Sequence, residues 1–109
     1  MVKLKRHCLH AFALVVVATG LDAADINNEF APDLARGEDI YFTVCEACHG
    51  DTGQGGTGGG APLTDALTLE QVMNVLKYGQ NTMPEFGSVY AEKDLRDVAT
   101  FVLEVLIKE

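Results

Sequence analysis

The chain has 109 residues, 48 % of them apolar, with 8 basic against 16 acidic side chains and a formal net charge of −8. That length allows one domain with a small core, and the acidic balance argues against nucleic-acid binding. There is no tryptophan and only 7 % of residues are aromatic, so side chains alone supply little bulk for such a core.

The N-terminus reads as an export signal. Lys3, Lys5 and Arg6 form a basic start, residues 11–18 an apolar run, and Leu21-Asp22-Ala23-Ala24 a small-residue cleavage region. The apolar run is short of the roughly 20 residues that span a bilayer, so no stable membrane insertion is expected. The expected organisation is a signal peptide over 1–23, an acidic lead-in over 24–32 and one domain over 33–109. His7, Cys8 and His10 fall in the discarded segment. Its removal takes away three bases and one acid and moves the formal charge from −8 to −10. The expected location is the periplasm.

Asp33 is placed to cap a helix running to about Val44, with Leu34, Gly37, Ile40, Tyr41 and Val44 at helical spacing. Cys45-Glu46-Ala47-Cys48-His49 follows at once. Two cysteines two residues apart, then histidine, is the attachment pattern of a c-type haem. The thiols join two vinyl groups along one porphyrin edge, and the histidine lies under the iron as an axial ligand. A zinc site would need further Cys or His ligands, and the only others lie before the cleavage region. A thioredoxin-like dithiol would sit in a longer α/β pattern, which is absent.

Residues 50–60 are rich in glycine and form a loop that lets backbone approach the cofactor edge. Gly53, Gly55 and Gly58 match G-x-G-x-x-G, but no strand precedes them, so a nucleotide fingerprint is not supported. Thr68 and Gln71 form a capping box, and the helix they open carries Leu69, Val72, Val75 and Leu76 and stops near Gly79. Residues 80–90 form a loop holding Met83-Pro84. The last helix runs from about Glu92 to Lys108, with Leu95, Val98, Ala99, Val102, Val105 and Leu106 along one face and Glu92 and Asp94 in its first turn. No strand alternation appears, so the expected class is all-α.

A second axial ligand must come from beyond the motif. No histidine follows His49, and the methionines after the signal are Met73 and Met83. Met73 falls within a helix between apolar positions and reads as core filler. Met83 lies in a loop stiffened by Pro84 and is the candidate ligand.

Taken together, these residues resemble a single-haem class I cytochrome c. Gly37, Ile40 and Tyr41 precede Cys45 at the family's spacing. Cys45 to Gly50 match its attachment site, Gly60-Ala61-Pro62-Leu63 its proline segment, Thr82 to Phe86 its distal loop, and Phe101-Val102 its C-terminal helix. The resemblance spans residues 33 to 107. It implies an all-α fold in which N- and C-terminal helices cross and short helices and loops wrap one covalent haem c. Cys45 and Cys48 would attach the haem, His49 and Met83 would ligate the iron, and the Pro62 carbonyl would orient His49. Phe101 would pack near the small Gly37. Gln80 and Asn81 are the candidates for propionate contact, and Tyr78 has no assigned role.

The resemblance implies a one-electron carrier in the periplasm and no enzyme activity, because both axial positions are filled by protein. Its partners would be redox proteins with basic docking patches. The alternatives are a cytochrome subunit held within a dehydrogenase, or a haem peroxidase or gas sensor, which would need an open sixth position.

Overall fold

A computed structural model describes residues 31–109. The expected signal peptide over 1–23 and all but the last two residues of the expected lead-in over 24–32 lie outside the described residues. The described part is helical, and among its residues the only β pairing is an isolated bridge between Gln80 and Met83. The all-α expectation holds.

Helix α1 spans Leu34–Ile40. Asp33 caps it as the sequence suggests, its carboxylate accepting from the Arg36 N–H at 3.0 Å. The helix does not stop before the cysteine motif. It widens into a π-helical turn over Tyr41–Cys45 and resumes as α2 over Glu46–His49. Single π turns often mark functional positions. Helix α3 spans Leu69–Tyr78, with both halves of the Thr68–Gln71 capping box formed and Gly79 at its end. Helix α4 spans Glu92–Glu104, shorter than expected. At Val105 the backbone turns to φ −119° and the chain tightens into a 3₁₀ turn over Leu106–Lys108. That change of pitch keeps Leu106 buried.

The core lies between α1 and α4 and gathers Ile40, Tyr41, Leu95, Val98, Ala99, Phe101, Val102 and Leu106, with Leu76 from α3. Gly37 is where α1 and α4 meet. A Cβ there would run into the Asp97 carbonyl and lie 2.8 Å from Phe101 Cβ, so only glycine allows the approach. The expected Phe101–Gly37 contact is thus present. Asp97 is fully buried, and its carboxylate accepts from the Asp33 N–H at 2.8 Å and from Lys93 Nζ at 2.9 Å. A buried charge needs such partners, and these tie the start of α1 to α4.

Not every expected core position is covered. Leu34 and Leu69 are exposed, and Val44, Val72 and Val75 are half-buried. Leu34 and Leu69 are the first residues of their helices, where fewer neighbours pack against a side chain.

Candidate functional site

The cysteine motif is held by backbone bonds from the glycine loop that follows it. Cys45 and Cys48 are free thiols, half-buried and exposed respectively. Burial, with the neighbouring Cys48 charge adding to it, pushes the Cys45 thiol up to about 11. The two cysteines lie three residues apart on one continuous helical stretch.

His49 is fixed by its ring. Its Nδ1 lies 2.8 Å from the Ala61 carbonyl oxygen. A carbonyl can only accept, so Nδ1 carries the proton and Nε2 keeps its lone pair for a metal. This corrects the expectation for Pro62: the acceptor belongs to the residue before it. The reason lies in the Ala61–Pro62 peptide. Proline biases the preceding residue toward extended backbone, which leaves the Ala61 carbonyl outside any helical bond and available to the ring.

The glycine loop closes over the end of the motif. Gly55 N–H donates to the His49 carbonyl at 2.7 Å, and Gly56 and Gly60 N–H donate to the Cys48 carbonyl at 3.1 and 2.8 Å. Leu63 N–H donates back to the Gly53 carbonyl at 2.7 Å. A Cβ on Gly60 would collide with the Cys48 carbonyl, so the bond to Cys48 needs glycine there. The loop is thus a frame for the motif's own backbone, a more specific role than the approach to a cofactor edge read from the sequence.

Met83 sits on a separate loop. It is half-buried and packs against the core cluster. Gln80 and Met83 exchange backbone bonds, with Met83 N–H to Gln80 O at 2.9 Å and Gln80 N–H to Met83 O at 3.2 Å. Asn81 makes this turn possible with φ at +53°, a left-handed conformation that asparagine tolerates better than most residues. Phe86 N–H then donates to the Leu76 carbonyl at 2.8 Å, pinning the loop to α3. Asn81 therefore has a conformational role, and both it and Gln80 are exposed. Tyr78 is 71 % exposed, with Lys77 Nζ 5.9 Å from its ring centroid. Met73 packs against the core cluster, as a filler would.

Two hollows accompany this arrangement. One, of about 10 Å³ and lined by Val44, Cys45, Leu76 and Phe86 among others, is apolar and lies against the first cysteine. The larger, about 390 Å³, is an outer groove between α3 and α4 lined by Glu70, Lys77, Glu92 and Arg96, and it shares no residue with the motif. The donor set fits a haem: two free thiols at attachment spacing, an imidazole with its metal-binding nitrogen free, and a half-buried thioether on a backbone-locked turn. Sequence reasoning missed the Tyr41 hydroxyl, which donates to the Gly50 carbonyl at 2.6 Å. The available signal was that a tyrosine on a buried helix face must find a partner for its hydroxyl.

Comparison with known proteins agrees with this reading. Residues 32–102 match the family described as cytochrome c oxidase, cbb3-type, subunit III. The chain is similar to cytochrome c6 of Gracilaria tenuistipitata var. liui, 36 % identical over 85 residues that cover 72 % of this chain and 79 % of that protein. It is similar to cytochrome c6 of Alaria esculenta, 40 % identical over 84 residues, covering 65 % and 90 %. It also resembles the cbb3-type cytochrome c oxidase subunit CcoP of Cereibacter sphaeroides, 35 % identical over 77 residues but only 26 % of that longer chain.

Proposed function

We propose that this chain, which belongs to the single-haem class I cytochromes c, is an exported one-electron carrier whose haem c is attached through Cys45 and Cys48 and ligated by His49 and Met83. The observation that carries the assignment is the His49 ring. Its Nδ1–H points at the Ala61 carbonyl, which leaves Nε2 as the free donor beside two free thiols. When bound, the haem supplies a one-electron Fe(III)/Fe(II) couple. The chain's own part is to hold the two ligands in fixed places. His49 is oriented by Ala61 and by the glycine frame, and Met83 by the Gln80–Met83 turn. A thioether opposite an imidazole favours the reduced state more than a second imidazole would. With His49 and Met83 both holding the iron, no coordination position would remain for a substrate, which favours a carrier over an enzyme.

Charge supports a docking preference. Residues 41–76, which include the attachment motif and the glycine loop, contain Glu46, Asp51, Asp65 and Glu70 and no lysine or arginine. Such a surface steers toward partners with basic patches, through small transient interfaces. Among the described residues no helix is long and apolar enough to cross a membrane. The basic start and apolar run at the N-terminus support export to the periplasm.

The test is the visible spectrum of the purified protein after extraction of non-covalent haem in acidified acetone. Haem that stays with the chain, cycles reversibly by one electron and sits on a periplasmic protein supports the proposal. A chain that loses its colour on extraction contradicts it. Raising ionic strength should slow electron transfer to a basic partner, and indifference to salt removes the steering component.

A further inference from the structure

Tyr41 touches both ends of the motif helix. Its carbonyl accepts the N–H of Glu46, the residue that opens α2, across the π turn. Its hydroxyl donates to the carbonyl of Gly50, the residue that ends α2, at 2.6 Å. The ring between these two contacts has no solvent exposure and packs against Phe101 of α4, with centroids 6.0 Å apart. The Gly50 carbonyl also accepts from Gly53 N–H at 3.2 Å, at the start of the loop that wraps Cys48 and His49. That loop leads directly to Ala61, whose carbonyl holds the His49 ring.

From this geometry we propose that Tyr41 is a positioning residue for His49: its hydroxyl, anchored by the α1–α4 core, sets the Gly50 end of the glycine frame and so the strength of the His49–Ala61 hydrogen bond. The inference rests on His49 being the proximal ligand. The physical chain is short. Without the hydroxyl, the Gly50 carbonyl loses its shortest partner and the frame around His49 slackens. The Nδ1–H bond to Ala61 then weakens, the imidazole becomes a poorer electron donor, and the reduced state gains relative to the oxidised. A buried phenol whose ionisation is pushed up by desolvation stays a donor throughout the neutral range.

The experiment is Tyr41→Phe in the haem-loaded full chain, which removes the hydroxyl and keeps the ring. Reduction potential and the paramagnetically shifted ring-proton signals of His49 are measured beside the melting temperature. The expected result is retained covalent haem and helical signal, an upward shift in potential, and moved His49 signals. Phe42→Leu is the control: Phe42 also contacts Tyr41 and Phe101 but makes no hydrogen bond to the motif, so it should lower melting with the potential unchanged. A Tyr41→Phe protein that only melts earlier, with potential and His49 signals as in wild type, overturns the proposal. If that variant does not accumulate, 3-fluorotyrosine placed at position 41 keeps the ring and strengthens the donor. The potential should then shift downward, and an unchanged value overturns the proposal equally. Absence of covalent haem in the wild-type chain would be seen before any variant is made, and would count against the function and not against Tyr41.

Discussion

The two sides of the candidate haem site are built differently. On the His49 side, the ring, the carbonyls of Cys48, His49 and Gly50, and the first residue of α2 are all engaged by backbone or by Tyr41. On the Met83 side, one reciprocal pair of backbone bonds closes the turn, one left-handed asparagine shapes it, and a bond from Phe86 fastens it to α3. The first side shares its supports with the fold itself. The second is a loop added to α3. Changes to the attachment motif and its backbone frame should therefore cost stability of the whole domain, and changes on the Met83 side should alter one ligand while the domain stays folded.

The largest test of that contrast removes the attachment pair. Cys45→Ala with Cys48→Ala should abolish covalent haem and most of the helical circular dichroism, since a domain this small leans on its cofactor for core bulk. Full helical content without haem would show that the protein part folds alone. Next is the frame. Gly60→Ala forces a Cβ against the Cys48 carbonyl and should cost about 3 kcal/mol in urea unfolding of the haem-loaded chain.

A pH series isolates the Tyr41 contribution. Burial, with the nearby carboxylates of Glu46 and Asp51 adding to it, pushes its phenol from an ordinary 10.0 up to about 12 in the folded chain. A folded-state value above the unfolded one means stability that is complete below pH 10 and lost as pH rises through 12. The difference in unfolding free energy between wild type and Tyr41→Phe should stay level up to pH 10 and then shrink toward pH 12. The smallest effect is expected on the Met83 side. Asn81→Ala places an unfavourable residue at φ +53° and should cost about 1 kcal/mol of unfolding free energy, with covalent haem retained.

Much of this was legible in the residues because it is local. The Thr68–Gln71 box, the Asp33 cap and the end of α3 at Gly79 depend on neighbours within a few positions. The cysteine motif and the Met83-Pro84 loop are likewise short signatures. What the residues did not disclose depends on register between distant segments. Asp97 meets the Asp33 N–H across 64 positions, and no pattern in either segment announces it. That the acceptor for His49 is Ala61 instead of Pro62 shows only once the loop's path, twelve residues on, brings one carbonyl to the ring. Helical periodicity marked Leu34 and Leu69 as core without knowing that a helix's first turn lies beyond its neighbours. Tyr41 was read as one more apolar position, and only the fold shows which carbonyl its hydroxyl reaches.

The difference between the two sides is tested most directly by Met83→Ala, followed through the weak sulfur-to-iron charge-transfer band and the reduction potential. The prediction is loss of the band and a lower potential, with covalent haem and helical content retained. An unchanged band would contradict Met83 as ligand, and collapse of the fold would contradict the claim that its loop is separable from the frame around His49.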